Sequence, residues 1–98
     1  DMAEQHNWYL ICYDIREPKR WRRCFKLLKG YGKSLQYSIF RCRLTKRELE
    51  RLRWELETKL AEDDSLMLVG LCPGCAGHII ARNTKEEWVE EQPRFHVL

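Results

Sequence analysis

Asp14 is the residue with the clearest capacity for chemistry. It lies near the end of an otherwise apolar run, Trp8-Tyr-Leu-Ile-Cys-Tyr-Asp-Ile15. A carboxylate at the end of a buried strand costs stability unless it is paired, hydrogen-bonded or bound to a cation. One carboxylate is a poor Mg²⁺ site, although Mg²⁺ keeps several waters and takes only one or two carboxylates plus substrate phosphate. Two-fold symmetry would bring a second Asp14 alongside. Taken alone, a loop-capping or helix-capping role is the simpler reading.

Other constellations are weaker. Cys72-x-x-Cys75 followed by His78 has part of a zinc-ligand spacing. No fourth ligand and no second CxxC accompany it, so a strand-connecting loop that contains two thiols is the favoured reading. The sequence holds no P-loop, GxGxxG, HExxH or serine nucleophile elbow. His6, His78 and His96 lie away from the main helical and strand patterns, which leaves little support for histidine acid–base chemistry.

Charge is unevenly placed. Residues 15–61 carry 15 Lys/Arg against 5 Glu, whereas the remainder carries 3 against 10 Asp/Glu. A basic block beside an acidic one points to a polyanion partner for one face. A solvated helix surface is the competing explanation. With 98 residues, the chain has room for one domain. Eleven aromatics, four of them Trp, supply more apolar surface than a small monomer easily hides. No apolar run approaches a membrane span, and Asp1–Asn7 lacks the regions of a signal peptide. Asp1 before Met2 reads as a cloning scar. Five cysteines, an odd number set singly or in one loop, suit reduced thiols and a cytoplasmic location.

The elements that must position these residues follow from periodicity. The run at 8–15 reads as a central strand. Pro18 can open a helix, and Trp21, Cys24, Phe25 and Leu28 give it one apolar face, with Lys19, Arg20, Arg22, Arg23, Lys26 and Lys29 covering the rest. Gly30 and Gly32 stop it. Leu35–Leu44 alternates as an extended segment, with Arg41 and Arg43 projecting from one side. Thr45-Lys-Arg-Glu48 has capping-box spacing, and Leu49, Leu52, Leu56 and Leu60 form the stripe of a second helix. Trp54 lies off that stripe. Further strands are expected at Leu66–Leu71, His78–Arg82 and Arg94–Leu98. This order favours an α+β fold, one sheet with both helices on a single face.

Tyr9-Leu-Ile-Cys-Tyr-Asp-Ile15, the basic helix running into a Gly turn, and Leu35-Gln-Tyr-Ser-Ile-Phe40 together resemble a known family. It is the small CRISPR-associated adaptation protein, the non-integrase member of the spacer-acquisition pair. The resemblance covers residues 8–82, and Pro93–Leu98 is similar to the family's closing strand. It implies a ferredoxin-like βαββαβ domain at 8–82 and a tail at 83–98 whose terminal strand crosses to a partner subunit. It implies a homodimer with sheets facing each other, bridging dimers of the CRISPR integrase subunit and holding double-stranded DNA.

Some members are metal-dependent nucleases, which implies Asp14 as the Mg²⁺ ligand, with Mn²⁺ a substitute, and Tyr13 beside it. Ser38 and Phe40 match the second-strand motif. Arg20 and Arg23 match the basic helix, and Arg41 and Arg43 join them as expected nucleic-acid contacts. The fold requires two strands between the helices, so a break is expected near Phe40–Arg41. The stretch 83–92 matches no family motif. Three functional readings follow: a binding scaffold, a phosphodiesterase acting on DNA or RNA, and a stand-alone toxin-like endoribonuclease.

Overall fold

The computed structural model describes residues 4–72, 80–81 and 96–97. Its elements are β1 (Asn7–Asp14), α1 (Pro18–Lys29), β2 (Gly32–Gln36), β3 (Ile39–Leu44), α2 (Lys46–Lys59), β4 (Ser65–Leu71), β5 (Ile80–Ala81) and β6 (His96–Val97). The first four strands form an antiparallel sheet in the order β2-β3-β1-β4. With helices crossing after β1 and β3, this is the ferredoxin-like arrangement. β5 and β6 pair in parallel with each other. Residues 73–79, with Cys75 and His78, and most of the expected tail lie outside the described residues.

Alternation along β1 decides what is buried. Tyr9, Ile11 and Tyr13 point to the helices and join Phe40, Cys42 and Leu44 from β3, Cys24 and Leu28 from α1, and Leu52 and Leu56 from α2. Full burial of one such large apolar side chain stabilises by about 1.5–3 kcal/mol. Cys24 and Cys42 are core thiols, and burial pushes Cys42 up to about 12. On the opposite sheet face, Trp8, Leu10, Leu35, Ile39 and Leu71 form a second apolar cluster.

Both helices start where their caps dictate. Glu17 accepts from the Lys19 and Arg20 amides at 3.1 and 2.7 Å, with Pro18 filling the first helical position. Thr45 and Glu48 exchange hydrogen bonds at 3.1 and 2.9 Å, the reciprocal capping box. The Tyr31 hydroxyl, just past α1, donates to Glu55 of α2 at 2.8 Å.

The extended segment between the helices breaks at Tyr37–Ser38, not at Phe40–Arg41 as expected. The Tyr13 amide donates to the Ser38 carbonyl, and the Tyr13 hydroxyl donates to the Tyr37 carbonyl, both at 3.1 Å. These anchors come from a residue more than 20 positions away, so local alternation could not reveal them. β2 accordingly begins earlier, at Gly32, where the backbone presses on β3. A Cβ there would overlap the Arg41 carbonyl oxygen and the Cys42 sulfur. Gly32→Ala is therefore expected to destabilise the protein by about 3 kcal/mol, the upper end of overpacking costs. A shift of the denaturant midpoint at constant slope measures it.

Candidate nucleic-acid interface

α1 and α2 are both rich in cations but dispose of them differently. α2 pairs two of its five cations within the helix: Arg51 faces Glu55, and Arg53 faces Glu50 and Glu57, at 3.2–3.9 Å. α1 contains no acidic residue. Its exposed cations Lys19, Arg22, Arg23 and Lys26 make no ion pair among the described residues, and they line an open depression of about 270 Å³. They recur at intervals of three and four, so they share one stripe about 10 Å long. Such a stripe concentrates positive potential and attracts a polyanion.

The four arginines expected to contact nucleic acid do not form one surface. Arg23 lies on the α1 stripe. Arg20 is turned inward, its guanidinium clamping Asp64 through two bonds of 2.6 and 3.2 Å. Arg41 is only 2% exposed and lies 5.4 Å from the Trp8 ring on the sheet face away from the helices. Arg43 is exposed on that same face. Lys19, Arg22 and Lys26 were legible as helix-surface cations. The signal that separates them from those of α2 is the absence of any Glu three or four positions away within α1.

The Arg20–Asp64 clamp ties α1 to the turn before β4. Asp64 also accepts from the Ala61 amide at 2.8 Å. Arg20 foremost, then the Ala61 amide, holds the Asp64 carboxyl below its ordinary 3.8. A depressed carboxylate contributes stability that is complete above its unfolded value and lost as pH falls through the folded one. Arg20→Ala and Asp64→Asn are thus expected to lower the melting temperature at pH 7. The gap from wild type should close as pH drops below about 4. Nucleic-acid affinity should be nearly unchanged, in contrast to the stripe residues. Calorimetry across pH, beside a binding titration, checks both statements.

Asp14 is exposed at the end of β1, opposite Ser65 of β4. Its carboxylate therefore sits in solvent, and the desolvation cost inferred from the sequence does not arise. Tyr13, its neighbour, points the other way, into the helix side, where burial foremost raises its phenol well above the ordinary value of 10. It stays a neutral donor and fixes the Tyr37–Ser38 turn. Phe40 is fully buried, meeting Phe25 edge-on at 5.2 Å. Among the described residues, no three His, Cys, Asp or Glu side chains converge as a metal cage. No described helix is long and apolar enough to cross a membrane.

The family model described as CRISPR associated protein Cas2 matches residues 7–79. A Rhodospirillum rubrum protein named CRISPR-associated endoribonuclease Cas2 1 is 41% identical over 66 residues, 66% of this chain and 65% of that relative. The chain thus spans just under two thirds of that relative's length. A crystal structure of the hypothetical protein TT1823 from Thermus thermophilus superposes with a TM-score of 0.67 at 34% identity, covering 68% of this chain and 83% of that one. Streptococcus pyogenes Cas2 gives 0.63 at 30% identity, covering 66% and 86%.

Proposed function

The chain belongs to the CRISPR-associated Cas2 family, and from that membership we propose that it is a nucleic-acid-binding subunit of CRISPR adaptation that grips duplex phosphates with the outer face of α1. The observation that carries this reading is the stripe Lys19, Arg22, Arg23 and Lys26, without an ion pair among the described residues, beside a second helix whose central arginines face its own glutamates. Cations that meet phosphates release condensed counterions, so binding is strong at low salt and indifferent to sequence. The proposed partners are double-stranded DNA, a second copy of the chain and the integrase subunit that the dimer would bridge during spacer acquisition. The apolar sheet face bearing Trp8, Leu10 and Ile39 is the surface offered to the second copy.

Phosphodiester cleavage is a second reading, favoured by the exposed Asp14 and by the endoribonuclease names of relatives. An exposed hard carboxylate suits Mg²⁺, whose other positions would go to water, substrate phosphate and the Asp14 of a second copy. When bound, the metal would activate water and stabilise charge developing on the phosphate. Tyr13, next to Asp14 in the chain, is then a positioning residue that ties the end of β1 to the Tyr37–Ser38 turn.

The test of the main reading is the salt dependence of duplex binding by wild type and by a variant with the four stripe cations replaced by Ala. A reduced slope is expected. An unchanged affinity and slope would place the nucleic acid elsewhere.

A further inference from the structure

The stripe on α1 accounts for phosphates and leaves the bases unassigned. An aromatic ladder borders it. Tyr37 stacks on Trp21 with ring centroids 4.3 Å apart and planes 14° apart, and Trp21 stacks on Phe25 at 4.9 Å and 19°. The inner end rests on the core through Phe25 and Phe40. The outermost ring of the ladder among the described residues is Tyr37, which is 59% exposed.

Three features distinguish this ladder from ordinary packing. A residue present only to cover Trp21 would gain little from an aromatic ring of its own left more than half exposed. The Trp21 indole N–H is buried with no hydrogen-bond acceptor among the described residues. An unmade bond of that kind costs stability that Phe would avoid, so what Trp supplies there is a wide flat face. The turn that presents Tyr37 is also held rigidly, by the two bonds from Tyr13. Helical geometry sets Lys29 and Arg22 next around α1 from Phe25, at +4 and −3. The Lys29 ammonium lies 5.9 Å from the Phe25 ring. A supported, exposed aromatic at the margin of a cationic stripe is the combination that takes a single strand, with bases on the ring and phosphates on the cations.

We propose that Tyr37 is a stacking platform for one unpaired nucleobase of the strand whose phosphates lie on α1, in a single strand or at a frayed duplex end. The proposal rests on the α1 reading for the phosphates, while the base contact has its own readout. Every base has a π-face, so the platform tolerates sequence. Because Tyr37 anchors the turn through its backbone carbonyl, side-chain replacement leaves that hydrogen bond in place.

The experiment is an anisotropy titration of the full chain with four probes: single-stranded RNA, DNA of the same sequence, an abasic DNA strand and a blunt duplex. Tyr37→Leu is expected to weaken both base-bearing strands by about tenfold, within the range of one lost base–aromatic stack. Tyr37→Phe should stay close to wild type. Binding of the abasic strand and the blunt duplex should be unchanged in both variants. Unaltered affinity of Tyr37→Leu for base-bearing strands overturns the platform, as does an equal loss on the abasic strand. A loss confined to RNA or to DNA places the contact on the sugar and overturns stacking. Salt-insensitive binding by wild type would overturn the α1 reading, and a Tyr37-dependent preference for base-bearing strands would still uphold the platform.

Discussion

Replacing Lys19, Arg22, Arg23 and Lys26 together with Ala is expected to abolish most of the salt dependence of duplex binding. Four cations each meeting a phosphate give a slope of log affinity against log salt of about −3.6 for B-form DNA. Raising salt fourfold, from 50 to 200 mM, should then weaken wild type by roughly 150-fold. The four-Ala variant should lose nearly all of that sensitivity, and single replacements should each flatten the slope by about one unit. The fold should tolerate the change, because all four side chains are exposed and none forms an ion pair among the described residues. A matched variant, Arg51→Ala with Arg53→Ala, sharpens the test. Those arginines are just as exposed but already face Glu50, Glu55 and Glu57. Their removal lowers the net charge by two but takes no cation from the α1 stripe, so the slope should hardly move. Equal effects per charge removed from the two helices would mean that overall charge, not the α1 stripe, controls binding.

The sequence disclosed the parts of this arrangement that depend on near neighbours. Helix starts were legible because Pro18 and the Thr45–Glu48 pair act within one turn. The core faces of β1 and α1 were legible because burial follows a fixed period. What escaped depends on contacts between distant residues. The Tyr37–Ser38 turn is pinned by Tyr13 and carries only Ser38, a weak turn former, to announce it. Placing the break later kept Tyr37 on the same face as Ile39 and Arg41, whereas the turn swings it onto Trp21 at the helix side. The arginines show the same limit. Family resemblance for Arg20 and Arg23, and strand alternation for Arg41 and Arg43, set the four alike, yet Asp64 claims one and burial encloses another. A residue's type gives its capacity to bind phosphate, and its tertiary partners decide whether that capacity is already spent.

Asp14→Asn is expected to remove metal-dependent cleavage while sparing both fold and binding. The side chain is exposed, and Asn preserves its size, so stability should change by no more than about 0.5 kcal/mol. Loss of one negative charge near a polyanion leaves duplex affinity equal or slightly higher. Cleavage would behave differently, because a metal held by Asp14 would supply several kcal/mol of transition-state stabilisation at the phosphate and each 1.36 kcal/mol is tenfold in rate. The variant should therefore fall by at least about 100-fold, to the level of wild type in chelator. Mixing the two proteins distinguishes a shared from a separate site. If one metal needs Asp14 from both copies, activity should fall with the square of the wild-type fraction once subunits have exchanged. Independent sites would give a straight line instead. Cleavage of equal rate in wild type and variant would assign the activity to another group or to a contaminant. Binding without cleavage in wild type, with Mg²⁺ or Mn²⁺ supplied, would leave the chain as a scaffold that positions DNA for its partner.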